Sequence, residues 1–365
     1  MTGAMVVLAA GGTGGHLFPA EALGRELMAR GRAVALVTDR RGGAFPVEGV
    51  PTYRIPAGRS GAGLTAKIRG AVDVARGVFA ARRLLKRLQP RSVVGFGGYP
   101  SLPTMLAAVG LGLPTVIHDS NAVLGRANRM LARRVRRIAT AFEQVSGIDD
   151  AARPKIVQTG NPVRPAVQAL RTRHYEPPAP DGLIRLLVTG GSQGARILSR
   201  VVPPALARLP PSLRSRLDVS QQVRAEDREQ VEQDYDGTLV EVTARPFFDD
   251  LPARLGDCHL AICRSGGSTV AELTVAGRPA ILVPLAAAIA DEQTANAQEL
   301  VDRGAAWLLP EAEFTPTALA GLLQRLVEDP AALARAAHEA HALGQPTAAA
   351  ALADLVERVE AEAVR

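Results

Sequence analysis

A dense cluster of glycines follows the first apolar run of the chain. The run MVVL at 5–8 leads into AAGGTGGH, in which four glycines, Thr13 and His16 occupy residues 11–16. Glycine loses more backbone freedom on folding than any other residue, so such a cluster indicates a tight turn or a close approach to a ligand. A strand, a glycine turn and a helix N-terminus together form an anion site, because the first helical amides lack intrahelical partners. The stretch predicts a strand–loop–helix unit.

Strand and helix patterns alternate along the chain, which is typical of a parallel sheet covered by helices on both faces. The predicted strands are Met5–Ala9, Ala33–Thr38, Ser92–Gly95, Thr115–His118, Arg137–Ala141, Ile156–Thr159, Ile184–Thr189, Leu217–Gln222, Leu239–Val242, His259–Cys263 and Ala280–Pro284. The predicted helices include Pro19–Arg30, Thr104–Leu111, Arg126–Arg136, Ser268–Ala276 and Asp291–Arg303.

The pattern begins again in the second half of the chain. VLAAGGTGGH near the N-terminus and LLVTGGSQGA at 186–195 each place a glycine loop after a strand. A length of 365 residues also favours two domains. We expect an α/β fold with two Rossmann-like domains facing each other across a cleft. The expected domains are 1–163 and 164–345, followed by a helix within 346–365 that packs back on the N-terminal domain.

Composition narrows the class of protein. The net charge of +7 favours anionic partners, but no nucleic-acid module with interleaved aromatic residues is present. Cys258 and Cys263 have no common metal-site spacing and fit a reducing compartment. There is no secretory signal and no apolar run of the ~18 residues that a membrane span needs. We therefore expect a cytoplasmic protein whose membrane contact, if any, is peripheral.

Four glycine loops follow predicted strands: GGTGGH at 11–16, GFGGYPS at 95–101, GGSQGA at 190–195 and RSGGSTVAE at 264–272. None is a P-loop or a dinucleotide fingerprint. Tight strand–helix packing can explain one such loop, but four at the carboxyl ends of strands indicate a ligand site. In the last loop, Ser268 and Thr269 begin a helix suited to a diphosphate. Glu272, one turn later, suits the hydroxyls of a ribose or simply favours the helix dipole.

An ordered set of motifs carries a family resemblance. The set comprises GGTGGHLFPA, GFGGYPSLP, HDSNAVLGRANR, GNPVR, VTGGSQGAR, CRSGGSTVAE and DEQTANA. From Met5 to about Gly304 the chain resembles the bacterial UDP-N-acetylglucosamine–N-acetylmuramyl-(pentapeptide) pyrophosphoryl-undecaprenol N-acetylglucosamine transferases. The resemblance implies the glycosyltransferase B-type fold and inverting transfer of N-acetylglucosamine from UDP-N-acetylglucosamine. The implied acceptor is the 4-hydroxyl of a muramoyl peptide on a polyprenyl diphosphate, and a β-1,4 bond results. The implied place is the cytoplasmic face of the cell membrane.

The resemblance also implies site residues. The second domain is expected to hold the donor and the first domain the acceptor diphosphate at its glycine loops. The implied donor-binding residues are Thr13, Gly14, Gly15, Asn121, Arg164, Ser192, Phe248, Gly267, Ser268, Thr269, Val270, Ala271, Glu272 and Gln293. The expected acceptor-binding residues are Gly97, Gly98, Tyr99 and Ser101. Two positions depart from the family pattern: Asp119-Ser120 replaces Glu-Gln, and Glu292 replaces a histidine or another polar residue.

His16 is the candidate catalytic residue. Single-displacement transfer requires the acceptor hydroxyl to lose a proton, and histidine is the usual base near neutral pH. We expect His16 to act as the general base or to orient the acceptor; the alternative is a histidine hydrogen-bonded locally at a helix N-terminus. No Asp-x-Asp motif or histidine cluster indicates a metal, so no metal or other cofactor is expected. Helix N-termini and Arg164 can stabilise the departing UDP instead.

A basic segment lies outside these motifs. Residues 67–87 read KIRGAVDVARGVFAARRLLKR, with Asp73 as the single acid. Ile68, Val72, Ala75 and Phe79 recur at helical spacing, which predicts an amphipathic helix. Either this stripe packs on the core, or it docks on an anionic membrane surface, where the acceptor's lipid tail resides. The stretch RANRMLARRVRR at 126–137 extends the second interpretation.

Three other functions stay open from the residues. The first is a nucleotide-sugar glycosyltransferase that uses a different glycolipid acceptor. The second is a UDP-sugar 2-epimerase of the same fold, and the third is a non-catalytic nucleotide-sugar sensor. Fold alone does not separate these classes. The acceptor-side motifs GFGGYPS and HDSNAVLGRANR favour the cell-wall transferase.

Overall fold

The chain divides into two compact units. The computed structural model describes residues 4–12, 14–39, 47–58, 64–191, 194–286, 288 and 291–364. Unit 1 comprises Met1–Arg164 together with Thr347–Arg365, and unit 2 comprises Pro165–Pro346. Arg164, which was expected in the second domain, therefore groups with unit 1. Within the described ranges, no helix is long and apolar enough to cross a membrane.

Unit 1 contains a parallel sheet of seven strands in the order β3-β2-β1-β4-β5-β6-β7. The five inner strands are short, mostly buried and rich in Val, Ile and Ala, as expected for a sheet covered on both faces, and the edge strands β3 and β7 are partly exposed. Their bounds are β1 Met5–Ala9, β2 Ala33–Thr38, β3 Thr52–Arg54, β4 Ser92–Gly95, β5 Thr115–Asp119, β6 Arg137–Thr140 and β7 Ile156–Gln158.

Helices cover both faces of the first sheet. Alternate strand residues point to opposite faces, so Val7 and Ala9 join one apolar cluster while Val6 and Leu8 join the other. The cluster of Val7 contains side chains of α2, α3 and α4, and the cluster of Val6 contains those of α1. The helix bounds are α1 Gly14–Ala29, α2 Leu64–Leu88, α3 Gly98–Gly110 and α4 Arg126–Ala132.

Unit 2 repeats this architecture with six parallel strands in the order β10-β9-β8-β11-β12-β13. The strands are β8 Ile184–Thr189, β9 Leu217–Gln222, β10 Glu241–Arg245, β11 Leu260–Cys263, β12 Ala280–Leu282 and β13 Ala306–Leu308. The helices are α5 Pro165–Gln168, α6 Arg196–Leu206, α7 Pro211–Arg214, α8 Arg228–Tyr235, α9 Leu251–Asp257, α10 Gly267–Ala276, α11 Glu292–Asp302, α12 Pro316–Glu328 and α13 Pro330–Leu343. Two parallel Rossmann-like sheets confirm the predicted α/β class.

The last helix, α14, spans Ala348–Val364 and returns to unit 1. Leu352, Leu355, Val356 and Val359 are buried in the same apolar cluster as α1. Glu360 is also buried; it accepts hydrogen bonds from Arg32 at 2.6 Å and from the Ser92 hydroxyl at 2.5 Å. Apolar packing and this buried charge pair together fix α14 against the sheet.

Several predicted bounds were wrong. Helix α1 begins at Gly14 rather than Pro19, and α3 begins at Gly98 rather than Thr104. In both cases the glycines form the first helical turn instead of a loop, and the proline lies inside the helix. The strand predicted at Leu239–Val242 lies later, at Glu241–Arg245, because Leu239 has a positive φ of 69° that ends extended pairing.

The basic segment forms α2, and of its two interpretations the one that packs the stripe of Val72, Ala75 and Phe79 on the core is wrong. Val72, Ala75 and Phe79 are exposed, with Phe79 73% accessible. The face that packs on the sheet instead carries Val78, Ala81, Leu84, Leu85 and Leu88. The side chain of Ile68 lies outside the described residues. Helix α2 therefore has two apolar stripes, and the described residues of unit 1 cover the stripe of Ala81, Leu84 and Leu85 but leave Val72 and Phe79 exposed.

Candidate active site

All four glycine loops follow central strands of the two sheets. In unit 1 they follow β1 and β4, and in unit 2 they follow β8 and β11. These are the adjacent strands at which the strand order reverses in each sheet. Open α/β sheets bind ligands at this switch point, outside the carboxyl ends of the strands. Each unit therefore carries one candidate half-site.

The two loops of unit 1 meet through backbone and ring contacts. Ala9 pairs with Gly95, and the Phe96 amide donates to the Ala9 carbonyl at 2.9 Å. Gly97 and Gly98 have positive φ values of 80° and 69°, which favour glycine. The His16 ring lies against these glycines: a Cβ at Gly98 would be 3.2 Å from His16 Cδ2. A larger residue at Gly98 would therefore displace His16.

Asp119, at the end of β5, organises the same edge of the sheet. One carboxylate oxygen accepts the Gly125 amide at 2.8 Å and Asn128 Nδ2 at 2.9 Å, and the other accepts the Asn121 amide at 3.1 Å. Asn128 Nδ2 also donates to the His118 carbonyl at 3.0 Å. The aspartate that departs from the family pattern thus holds the β5–α4 loop and supplies a buried negative charge.

That negative charge acts on His16. Burial lowers the pKa of His16, while the carboxylate of Asp119 and a hydrogen bond to the Phe96 backbone oppose this effect without cancelling it. Burial also raises the pKa of Asp119, against the three hydrogen bonds that it accepts. A histidine whose pKa lies below 6.5 is mainly neutral at pH 7. Neutral imidazole has a nitrogen that can accept a proton.

The neighbouring His118 has a structural environment. Its ring is fully buried, 5.7 Å from the Phe96 ring centroid, and its Nε2 donates to the Gly160 carbonyl at 3.1 Å. Burial lowers the pKa of His118 to about 4. Its Nδ1 has no hydrogen-bond partner among the described residues. His118 therefore stays neutral and anchors the loop after β7, which contains Gly160.

The other candidates of unit 1 occupy different environments. Tyr99 is partly exposed in the first turn of α3, whereas Ser101 is fully buried and its hydroxyl donates to the Gly98 carbonyl at 3.0 Å. The Arg164 guanidinium lies 4.4 Å from the centroid of the Phe18 ring on α1. Gly14 and Gly15 begin α1, and Thr13 lies outside the described residues. Ser101 thus shapes the loop rather than presenting its hydroxyl.

In unit 2, the N-terminus of α10 follows β11 directly. Gly266 is its N-cap, and the Val270 amide makes the first intrahelical bond, to the Gly266 carbonyl at 3.0 Å. The amides of Gly267, Ser268 and Thr269 precede that bond, so they lie in the anion-binding turn. Val270 offers no free amide to an anion, because its N–H donates to the Gly266 carbonyl, and its side chain is buried. Ala271 follows it in the helix, and Glu272 is half-buried one turn after Ser268.

The loop after β8 is held by Gln222, the last residue of β9. Its Oε1 accepts the Thr189 hydroxyl at 2.9 Å and the Gly190 amide at 3.2 Å. Gly190 has no room for a side chain, since a Cβ there would lie 2.2 Å from the Ala195 nitrogen. Ser192 lies outside the described residues. Sequence analysis identified the glycines of this loop but not the glutamine that fixes it.

A second polar network holds the segment that carries Gln293. Arg264 Nη1 donates at 3.0 Å to the Val283 and Pro284 carbonyls and to Glu311. Glu311 in turn accepts the Ala286 amide at 3.0 Å. Gln293 Oε1 accepts the Leu285 amide at 3.1 Å, and the Ser265 hydroxyl donates to the Gln293 carbonyl at 2.8 Å. This network links the RSGG loop to the start of α11.

Phe248 lies elsewhere on unit 2, just before α9. Its side chain is buried, and the Arg254 guanidinium lies 4.5 Å from the centroid of its ring. Because this side chain is buried, Phe248 could contact a donor only through its backbone. Among the described residues, no cluster of three or more His, Cys, Asp or Glu residues could hold a metal ion.

Comparisons with known proteins agree with this geometry. Residues 6–140 match the N-terminal domain model of glycosyltransferase family 28, and residues 185–359 match its C-terminal domain model. The transferase of Rhodospirillum centenum named for the reaction on N-acetylmuramyl-(pentapeptide) pyrophosphoryl-undecaprenol is 56% identical over 98% of this chain and 94% of its own. Acinetobacter baumannii MurG has a TM-score of 0.77 at 30% identity, covering 97% of this chain and 99% of its own.

A more distant likeness concerns the fold alone. A UDP-N-acetylglucosamine 2-epimerase has a TM-score of 0.65 at 15% identity, covering 97% of this chain and 95% of its own. The near relatives share half or more of their residues with this chain over nearly its whole length. The chain is therefore a UDP-sugar hexosyltransferase of glycosyltransferase family 28, and it belongs to the UDP-N-acetylglucosamine–N-acetylmuramyl-(pentapeptide) pyrophosphoryl-undecaprenol N-acetylglucosamine transferases.

Proposed function

We propose that this chain transfers N-acetylglucosamine from UDP-N-acetylglucosamine to the 4-hydroxyl of N-acetylmuramoyl-(pentapeptide) diphosphoryl-undecaprenol. The anomeric carbon inverts, and the product is the β-1,4-linked disaccharide on the lipid diphosphate. The observation that carries the proposal is the 56% identity with the Rhodospirillum centenum transferase over 98% of the chain. The arrangement of His16 and the glycine loops supports it chemically.

The donor is held mainly by unit 2 in this proposal. The amides of Gly267, Ser268 and Thr269 bind the diphosphate, and Glu272 accepts the ribose hydroxyls. Gln293 reads the sugar with its NH₂ group, since its Oε1 is engaged by the Leu285 amide. The remaining donor contacts are the Phe248 backbone, Ala271 and Ser192 of unit 2, with Thr13, Gly14, Gly15, Asn121 and Arg164 of unit 1. Val270 contributes indirectly, because its N–H makes the first hydrogen bond of α10 and so fixes the turn that holds the diphosphate.

The acceptor is held by unit 1. The loop of Gly97, Gly98 and Tyr99, shaped by buried Ser101, binds the acceptor diphosphate near the N-terminus of α3. In the transfer, the acceptor 4-oxygen forms a bond to the anomeric carbon as the bond from that carbon to the UDP oxygen breaks. His16 accepts the proton of the 4-hydroxyl, and UDP leaves with the electron pair of the broken bond. The α10 amides and Arg164 stabilise the charge that develops on UDP.

Asp119 is the positioning residue for this step. Its charge offsets part of the loss of basicity that burial imposes on His16, and its hydrogen bonds hold the loop beside the histidine. Asp119→Asn should lower kcat by about tenfold to a hundredfold with a small change in the KM of the donor. Asp149→Asn, which removes an exposed carboxylate paired with Arg133, is the control and should leave both constants unchanged.

The first experiment measures UDP release from UDP-N-acetylglucosamine with and without the lipid-linked muramoyl-pentapeptide diphosphate. UDP release that depends on this acceptor, with a disaccharide product, supports the proposal. Release with a different glycolipid only would instead identify another glycosyltransferase. Isomerised donor without acceptor would identify an epimerase, and binding without turnover a sensor. Near-normal turnover by His16→Ala would refute the role of His16 as base.

Membrane docking through the second face of α2 belongs to the same proposal. Val72 and Phe79 are exposed beside Arg76 and Arg83 on this face, and Arg82 flanks it. Within the part of the chain that the structure describes, no carboxylate pairs with these arginines. An apolar stripe bordered by cations suits the interface of an anionic bilayer. The acceptor's undecaprenyl chain stays in the bilayer, so this face would bring the enzyme to the cytoplasmic surface of the cell membrane.

Helix α4 extends the docking surface. Met130 is 55% accessible, and Arg126, Arg133 and Arg134 are exposed around it. Helix α3 packs against both α2 and α4, so the three helices belong to one face of unit 1. The exposed apolar side chains of α2 and α4 thus share one side of the sheet.

Vesicle flotation tests this surface. Phe79→Ala should reduce partitioning onto anionic vesicles by about fivefold or more, since burying a Phe side chain contributes ~1.5–3 kcal/mol. Leu183→Ala, which removes a comparably exposed apolar side chain from unit 2, is the matched control and should bind like the parent. Equal binding of the parent to neutral and anionic vesicles would contradict the electrostatic part of the docking.

A further inference from the structure

Unit 2 contains a cavity that the proposed reaction does not use. It is a partly open cavity of about 190 Å³ near the C-terminal ends of α10 and α13. One water occupies ~30 Å³ in the liquid, so the cavity has room for a group of several heavy atoms. Part of its wall is apolar and consists of Tyr175, Ala276, Ala334 and Ala337. The rest of its wall decides what it can bind.

The polar wall is cationic. Arg171, Arg173 and Arg278 line the cavity with three histidines, His174, His338 and His341, and no carboxylate belongs to the lining. The nearest acidic partner is Asp257, which pairs with Arg173 from outside the lining while half of each side chain stays exposed. One carboxylate against three guanidinium groups leaves an excess of positive charge, which favours an anionic occupant.

Two of the arginines donate to carbonyl groups at the ends of the two helices. Arg171 Nη1 donates to the His341 carbonyl of α13 at 2.5 Å. Arg278 Nη1 donates to the Ala276 and Gly277 carbonyls at 3.0 and 3.2 Å. These contacts neutralise the negative ends of the two helix dipoles. A guanidinium group has five N–H donors, and the contacts described here use only some of those of Arg171 and Arg173.

Arg278 adds a buried positive charge beside the cavity. Its side chain is 2% accessible, its Nη2 donates to the Gly256 carbonyl at 2.7 Å, and its guanidinium lies 5.5 Å from the Tyr175 ring centroid. Its Nε, however, has no hydrogen-bond partner among the described residues. This Nε is also buried, so an occupant of the cavity does not reach it, and Arg278 contributes its positive charge rather than a hydrogen bond.

We propose that this cavity binds a small soluble oxyanion, such as the phosphate or diphosphate group of a metabolite, through hydrogen bonds from Arg171 and Arg173 and through the positive charge of Arg278 beside them. The apolar wall around Tyr175 and Ala334 would accommodate a non-polar part of the same molecule. This site is distinct from the donor site, because it lies at the C-terminal end of α10. The donor loop precedes the N-terminal end, and ten residues of helix rise about 15 Å.

Calorimetry with inorganic pyrophosphate tests the proposal in the presence of saturating UDP, which occupies the donor site. The parent should bind pyrophosphate at this cavity under these conditions; any binding at the acceptor loop of unit 1 should be the same in the parent and in the variant below. The Arg171→Gln/Arg173→Gln double variant should bind it at least tenfold more weakly and retain the parent's affinity for UDP. Arg228→Gln is the matched control, because Arg228 forms an exposed ion pair with Glu232 like that of Arg173 with Asp257.

Two results would overturn the proposal. One is the absence of pyrophosphate binding by the UDP-saturated parent, and the other is equal affinity in the parent and the double variant. If the double variant folds poorly, Arg173→Gln alone replaces it in the experiment, because this side chain is half-exposed and its loss should not disturb the fold. Weaker binding of the double variant to anionic vesicles would also contradict it, since the ligand would then be a lipid headgroup. Because the test needs no transfer reaction, its outcome is independent of the proposed function.

Discussion

His16 determines how the transfer rate should depend on pH. Burial places its pKa below 6.5, so the base is already neutral at pH 7 and becomes protonated only in more acidic solution. We expect kcat/KM to be level near neutral pH and to fall about tenfold per pH unit once the pH lies below that pKa. Asp119→Asn removes a charge that raises this pKa, so the acid limb should move to lower pH. An acid limb centred above pH 6.5 would contradict this assignment.

His118 should couple the stability of unit 1 to pH. Its pKa is about 4 in the folded chain against 6.5 in an ordinary environment. Between these values the unfolded chain binds a proton that the native chain does not, so stability falls as the pH decreases from 6.5 to 4. The full loss is on the order of 3 kcal/mol. Urea unfolding at pH 7 and pH 4.5 should show a smaller decrease for His118→Gln, whose amide can still donate to Gly160. The exposed His338→Gln is the control and should follow the parent.

The residues of the site differ in how visible they are in the sequence. His16, Gly97 and Ser268 lie in short contiguous motifs, so spacing alone identifies them. Gln222 and Glu311 act on those motifs from distant positions: Glu311 binds Arg264 across 47 residues. No local pattern encodes such a pairing, because it arises when parallel strands bring remote segments to one edge. The sequence also gave no reason to separate buried Ser101 from partly exposed Tyr99.

Helix α2 contains Gly77 at a point where Pro56 and Pro103 leave no room for a side chain. A Cβ at Gly77 would lie 2.1 Å from the Pro56 carbonyl oxygen and 3.0 Å from Pro103 Cβ. Alanine favours a helix by ~1 kcal/mol over glycine, but overpacking costs about 1–3 kcal/mol, and here backbone must move. Gly77→Ala should lower the free energy of unfolding by about 1–3 kcal/mol in urea titrations. Gly110→Ala meets only Arg82 Nη1 at 3.8 Å and should be neutral or slightly stabilising.

The sheets show which elements a sequence pattern can predict. Strands β1, β2, β8 and β9 have the predicted bounds. Strands β1 and β2 are buried on both faces and read as nearly continuous apolar runs, whereas β9 (LDVSQQ) alternates apolar and polar residues over its first four positions. The edge strands β3 and β13 are three residues long and partly exposed, and neither was predicted. Helix α2 has two apolar stripes, and spacing alone could not decide which one the sheet would cover.

Across the whole molecule, α14 makes the stability of unit 1 depend on the last segment of the chain. Leu352 is fully buried in the cluster shared with α1, so Leu352→Ala should destabilise unit 1 by about 2–5 kcal/mol. The single tryptophan, Trp307, lies in β13 of unit 2 and reports that unit selectively. We expect an earlier transition by far-UV circular dichroism, with the tryptophan fluorescence transition unchanged. Glu362→Gln, which removes an exposed ion pair with Arg137, should change neither signal.

The discontinuous makeup of unit 1 has a consequence for biosynthesis. Domains usually fold in the order in which they leave the ribosome. Here the first 164 residues emerge early, but the apolar face of β1 and α1 that α14 covers stays open until residues 347–365 have been synthesised. Unit 2 is contiguous and can complete its core first. The N-terminal unit is therefore the last to finish folding, and its exposed apolar face is the part of the nascent chain most in need of chaperone protection.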